Sequence, residues 1–288
     1  MTATTELASN AGRLVRLRMT AVIQPAAANR IVTPDGVNLV LPGQGGVVAG
    51  IALGDRAGGW LGDHVEPGLS LGHPEAEAMH AIRRFACVGN RVTVIDGPAA
   101  GSEGIVYGKH GAVLAMLPAD ALRRAAPGER VSIEAEGAGL ALTDHADIRF
   151  HSLSPALQRR WLRRVDGTGR VVVPVVATLP ARAAAAGIGM PAAMFNMDLH
   201  VYDPPLADLT RDLRFGDIVA VLDQDHRYGR RHAPGWTSVG VISHGEARAG
   251  GHGFGLMTLL TAPSDTISLL ETAEARVDLL MGLPDAVR

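Results

Sequence analysis

Apolar residues recur at every second position through much of the chain from Thr20 onward, and turn-forming residues separate these runs. A two-residue period puts alternate side chains on one face, as in a half-buried strand. Residues 89–95, 128–133 and 216–222 each begin with a glycine and a polar residue and continue into a β-branched alternation. They are expected to be turns that lead into strands. Residues 169–176 are more continuously apolar, and Pro174 within them marks an edge or a bulge, because proline has no N–H for the ladder.

A period near 3.6 is rarer. It predicts helices over 74–86, over 118–126, over 156–164 behind the Ser154-Pro155 cap, over 180–186 before Gly187, and over 264–281. In the last of these Ile267, Leu270, Ala273 and Val277 form one stripe before Gly282. No regular strand–helix–strand alternation is present, so a doubly wound parallel sheet is not expected. The predicted class is α+β and β-dominated, with antiparallel or barrel-like sheets and a few peripheral helices. Residues 1–18 read as a flexible N-terminal leader. Residues 19–288 read as one globular unit, divisible into two β-rich lobes near 165–190.

Composition narrows the class of function. The chain has 288 residues, 47% of them hydrophobic, which suffices for a large core without a disulfide or structural metal. The formal net charge is −2 and no run of like charges marks a nucleic-acid face or a basic membrane anchor. Neither a secretory signal pattern nor an apolar stretch of membrane-spanning length is found, so the expected location is the cytoplasm. The single cysteine, Cys87, sits in an apolar run and reads as a small core residue. Lys109 is the only lysine among 27 basic residues. Lysine differs from arginine in being compact and able to lose its proton when desolvated.

The densest polar constellation is Gly62-Asp63-His64-Val65-Glu66-Pro67-Gly68. If Asp63 to Glu66 is extended, His64 and Glu66 face one side, where they could share a metal or act as a base with its orienting partner. Gly108-Lys109-His110-Gly111 comes second: Lys109 could anchor a carboxylate or act as a base, and His110 could ligate a metal. Gly250-Gly251-His252-Gly253-Phe254-Gly255 lacks the Gly-Lys-Ser/Thr ending of a phosphate loop, so no nucleotide cofactor is expected. Its histidine lies where backbone must approach something closely. Asp225, Tyr228 and Arg230 crown a turn, and Asn196, Asp198 and His200 share one face of a short alternating segment. The remaining histidines, His244 among them, have no comparable setting.

Taken together these motifs resemble a prokaryotic domain-of-unknown-function family, over about residues 20–262. The stretches that carry the resemblance are Gly62 to Gly68, Val88-Gly89-Asn90, Gly108 to Gly111, Gly187-Ile188-Gly189, Phe215-Gly216-Asp217, Tyr228-Gly229-Arg230 and Gly251-His252-Gly253. The chain departs from the family pattern in three places: Ala112 to Met116 is apolar, His226 follows the Asp-x-Asp, and Phe254 stands where the pattern has proline. The glycine-rich β style is also similar to that of acetamidase and formamidase proteins, which are metal-linked amide hydrolases; that is likeness at the level of fold.

The expected function is therefore metal-dependent hydrolysis of a small amide or cyclic amide-like metabolite. A divalent metal ion is expected on Asp63, His64, Glu66, His110 and His252, with His64, Glu66 and Lys109 as catalytic groups. Asn196, Asp225, Tyr228, Arg230 and Gly253 are expected to contact substrate. Two alternatives stand beside this one: a metal-free isomerase or lyase using His64 or Lys109 for proton transfer, and a non-catalytic small-molecule-binding protein. The expected partners are a small-molecule substrate and further copies of the chain as a homo-oligomer, with no nucleic acid and no membrane.

Overall fold

The computed structural model describes residues 7–28, 30–33 and 35–283. In chain order its first strands are β1 (Leu17–Ile23), β2 (Arg30–Val32), β3 (Asn38–Val40), β4 (Val47–Val48), β5 (Gly68–Gly72), β6 (Arg91–Val94), β7 (Glu103–His110), β8 (Ala112–Met116) and β9 (Arg130–Ala135). Then follow β10 (Arg149–Phe150), β11 (Val171–Val175), β12 (Ala177–Leu179), β13 (Met197–Asp198), β14 (Ile218–Asp225), β15 (Arg231–His244), β16 (Gly255–Pro263) and β17 (Ile267–Glu271). The helices are α1 (Ala76–Phe85), α2 (Ala119–Arg124), α3 (Pro155–Trp161), α4 (Pro204–Thr210) and α5 (Val277–Met281). Among the described residues no helix is long and apolar enough to cross a membrane.

Strands β1, β9, β6, β7, β8 and β5 pair in that order, all antiparallel. β5 then pairs back onto β1, with Val22 opposite Gly72 and Ile23 opposite Leu71, which closes a six-stranded barrel. Closure leaves no ring edge to be protected. β6 and β9 alternate between buried and more exposed residues, as their two-residue period predicts, whereas β5 and β8 are buried throughout. The apolar stretch Ala112 to Met116 is thus barrel core. A second sheet runs β10-β16-β15-β14-β12, with β13 also on β16. The fold is β-dominated with a few helices around a closed barrel and this second sheet.

The two sheets meet where β7 crosses β15. A Cβ built on Gly108 would lie 2.4 Å from the Ser243 Cβ, so only glycine permits this approach. The crossing brings the C-terminal ends of both strands, His110 and His244, side by side.

Three local expectations are corrected. Residues 264–281 are not one helix: Ile267–Glu271 form β17, parallel to β11, and only Val277–Met281 are helical. Ile267 and Leu270 fit a helical stripe, but five register pairs with Val171–Val175 outweigh that weak local preference. Residues 180–186 supply only a short turn of 3-10 helix, Ala181–Ala183, after which Ala184 bridges to Leu199. The leader expected over 1–18 docks from residue 7. Asn10 donates to the Gly139 carbonyl and accepts from the Ala141 N–H, and β1 already begins at Leu17. Residues 1–6 lie outside the described residues.

Candidate metal centre

Four imidazoles from distant parts of the chain gather at the end of the β7–β15 crossing. His110 closes β7, His244 closes β15, His252 precedes β16, and His64 comes from the loop before β5. The His64 ring stacks on His110 with centroids 4.9 Å apart, and lies 4.9 Å from His244 and 4.8 Å from His252. His110 and His244 are 4.2 Å apart. Backbone pairing fixes these loops: the His64 N–H donates to the Glu246 carbonyl, the Gly245 N–H to Val65, and Ala247 pairs with His252 in both directions. β16 approaches closely enough that a Cβ on Gly255 would fall 2.1 Å from the His244 ring.

Each ring faces an acceptor at Nδ1. His64 meets Asp63 Oδ1 at 2.5 Å and His110 meets Glu66 Oε1 at 2.7 Å. His244 meets the Gly245 carbonyl at 2.7 Å, and His252 meets Asp198 Oδ2 at 2.8 Å. An ionised carboxylate or a carbonyl only accepts, so the proton of each neutral ring belongs on Nδ1 and the lone pair on Nε2. This is the arrangement that orients histidines toward a metal. Asn196 Nδ2 donates to His244 Nε2 at 2.6 Å and to Asp198 Oδ1 at 3.3 Å. One ligating atom from each of His64, Asp198 and His252 lies within 4.8 Å of the others. Exposure is graded across the group, from a fully buried His244 to a half-exposed His252 side chain, which leaves the centre open on one side.

The electrostatics keep the buried rings neutral. Burial, reinforced by His244 and His110, pushes His64 down to about 4 against the pull of Asp63. Burial likewise lowers His244, followed by the effect of His110, with Asp198 opposing. Burial by itself would raise Asp198, but the adjacent His244, the hydrogen bond with His252 and the nearby His64 hold its carboxyl below the ordinary range. Neutral imidazole and ionised carboxylate are the ligating forms.

A model of the domain of unknown function DUF4438, N-terminal, matches residues 30–159, and that of its C-terminal domain matches residues 162–281. The chain belongs to the DUF4438 family. A solved structure described as the crystal structure of TM1086 is 35% identical, covers 95% of this chain and 99% of that one, and superposes with a TM-score of 0.89. No curated protein matches the chain.

Several site residues expected from the sequence come together in this DUF4438 protein. Asp63, His64, Glu66, His110, His252 and Asn196 all belong to the cluster, with Asp63 and Glu66 standing behind the rings of His64 and His110. Glu66 spends its second oxygen on the Ser70 hydroxyl at 2.5 Å and the Gly45 N–H at 3.1 Å. Gly253 is the close-approach residue beside His252; a Cβ there would run into the Leu199 carbonyl. The extended reading of 63–66 is corrected. His64 has φ 48°, a left-handed conformation, and this turn is what lets its ring meet the side chain of its own neighbour Asp63.

Lys109 lies elsewhere. Its neighbour His110 points into the cluster, and along a strand successive side chains take opposite faces. The Lys109 ammonium is buried and donates to the Arg83 carbonyl at 2.7 Å, the Ser152 hydroxyl at 2.8 Å and the Ala193 carbonyl at 2.6 Å. All three protons are thereby engaged. Burial lowers it to about 8. Asp225 is clamped by Arg227 and Arg231, Tyr228 is 86% exposed, and Arg230 donates to the Phe195 and Gly187 carbonyls. These three belong to the β14–β15 hairpin and its contacts, apart from the imidazole cluster.

Sequence reasoning missed His244. It ends the largely apolar run of β15, where no carboxylate or second histidine adjoins it to draw attention. The available signal was the His-Gly pair closing a strand, the mirror of His110-Gly111 closing β7. Asp198 was seen as part of an alternating face, but its tie to His252, 54 residues away, has no local signature.

Proposed function

We propose that this protein is a divalent-metal-dependent hydrolase acting on a small amide or cyclic amide-like metabolite. The observation that supports the reading is the acceptor behind every imidazole, which leaves the Nε2 lone pairs of His64, His110 and His252 outside the protein's own hydrogen bonds, while that of His244 is taken by Asn196. His64, His252 and Asp198 would hold the ion. Two imidazoles and a carboxylate are a donor set used in catalytic zinc sites that keep a position for water. A bound ion there supplies Lewis acidity toward a carbonyl and a water of lowered pKa.

The chain's own groups account for the proton traffic. His110, partly exposed and backed by Glu66, has the relation of a general base to its orienting carboxylate. It takes a proton as water adds to the carbonyl carbon and returns it to the nitrogen as the C–N bond breaks. The products are a carboxylate and ammonia for a primary amide, a ring-opened amino acid for a lactam, and a ring-opened carboxylate that keeps one amide for a cyclic imide. His244 and Asn196 hold Asp198 in place.

The test is release of ammonia or of new carboxylate from a panel of small primary amides, lactams and cyclic imides. Metal-reconstituted and chelator-treated protein are compared. Turnover is expected only with metal, and His110→Ala should keep the metal while losing roughly 10²–10⁴ in kcat. Full turnover by metal-free protein, or no turnover of any panel member by metal-loaded protein, contradicts the proposal.

A further inference from the structure

A second constellation lies away from the imidazole cluster. A cavity of about 330 Å³ is bounded by Arg84 at the end of α1, by His151, by Pro191 to Ala193, and by His226 to Gly229 in the β14–β15 hairpin. Its polar side chains are guanidinium, imidazole and phenol groups, and among the described residues no aspartate or glutamate lines it. His226 is 1% exposed, its Nδ1 is 2.9 Å from the Thr258 hydroxyl, and its Nε2 has no partner among the described residues. His151 Nε2 is likewise buried without a partner. A buried polar atom left unpaired costs free energy unless a ligand or solvent meets it. Arg84 is exposed and makes no ion pair among the described residues, whereas Arg227 is fixed by Asp225 and by stacking 3.6 Å over the Trp236 ring.

We infer that this cavity is a binding site for a small anion bearing a carboxylate or phosphoryl group on a compact apolar body. Arg84 and Arg227 meet the charge. His226 donates through Nε2 when the Thr258 hydroxyl donates to Nδ1. Phe150, Pro191 and Ala192 take the apolar part. Burial and then the charge of Arg230 hold His226 down to about 3 and His151 to about 4, so the positive potential comes from the arginines and both rings remain neutral hydrogen-bonding groups. The lone lysine fits the same picture. Its three acceptors are Arg83, Ser152 and Ala193, the residues next to Arg84, next to His151, and in the cavity wall itself. Lys109 therefore pins three walls from behind and adds a fixed cation beneath them. A pre-organised site loses less on binding.

The experiment is calorimetry together with imidazole nitrogen NMR on the full chain, with inorganic phosphate and benzoate as separate probes. Chelator-treated protein is used, so that the result does not depend on the metal centre. At least one probe is expected to bind one per chain and to shift the His226 and His151 ring signals. Arg84→Gln and His226→Gln should each weaken it tenfold or more. Preference for phosphate or for benzoate identifies the headgroup. The inference is overturned if neither probe binds at about 10 mM, well into the weak range, or if binding is unaffected by both substitutions. Arg84→Gln changes an exposed side chain, so its outcome is readable even if His226→Gln fails to fold.

Discussion

His64 sits at φ 48°, where a branched side chain pays a steric cost of order 1 kcal/mol and where asparagine is better tolerated. Strain of this kind persists where the surroundings over-determine it, here through the Asp63 side chain and the Glu246 carbonyl. His64→Asn is expected to fold with a Tm within a few degrees of the wild type and to lose most of its bound metal, measured by thermal melting and elemental analysis. Retention of a full equivalent would remove His64 from the ligand set. Lys109→Met has the opposite expected profile. It leaves the Arg83 and Ala193 carbonyls and the Ser152 hydroxyl short of a buried donor, and should cost roughly 3–5 kcal/mol by urea unfolding. The metal content of the folded protein should not change. At this scale the sequence was readable where polar residues crowd between glycines, as at Asp63, His64 and Glu66. It was unreadable where a positioning group closes an apolar strand, as His244 does, or where a buried partner hides the role of a residue, as for Lys109.

Strand-level expectations held where a two-residue period coincides with one buried face, in β6 and β9, and also at β14, which is buried on both faces over most of its length. They failed at β17, because a parallel partner nearly a hundred residues away decides its conformation and leaves no local trace. The β7–β15 crossing is the element contact on which the site depends. Gly108→Ala would drive a methyl group against Ser243 Cβ, part the two strands and separate His110 from His244. The expected cost is about 1–3 kcal/mol of stability, with metal affinity weakened in parallel. Ser243→Gly in the same chain should restore both, because the colliding atom is removed. A double-mutant cycle in urea, read alongside metal titration, checks this. Additive losses would mean that the crossing does not set the site geometry.

Across the whole molecule, the class of fold was legible from patterning, but closure of the barrel was not. β1 and β5 are linked by residues 24–67, which hold only the short strands β2, β3 and β4, and nothing local specifies their pairing. Burial of neutral histidines also gives the molecule a predictable response to acid. The folded-state values of His226 and His151, about 3 and about 4, lie below the unfolded value of 6.5. Below pH 6.5 the unfolded chain therefore binds more protons. Stability contributed by each ring is complete above pH 6.5 and is lost as pH falls toward 4, with a slope of up to about 1.4 kcal/mol per pH unit per ring. His226→Gln should flatten that limb in urea unfolding at pH 4.5 to 7; an unchanged slope would show that the ring is not held neutral by the fold.

The central claim, that four backed imidazoles and Asp198 form a metal centre, is tested most directly by elemental analysis of purified protein after incubation with divalent zinc, manganese, iron and nickel and removal of excess. About one equivalent of one of these metals per chain is predicted for the wild type, with a clear loss in His252→Ala, whose half-exposed ring can be removed with little harm to the core. No retained metal under any of these conditions, or equal retention by His252→Ala, would contradict the account.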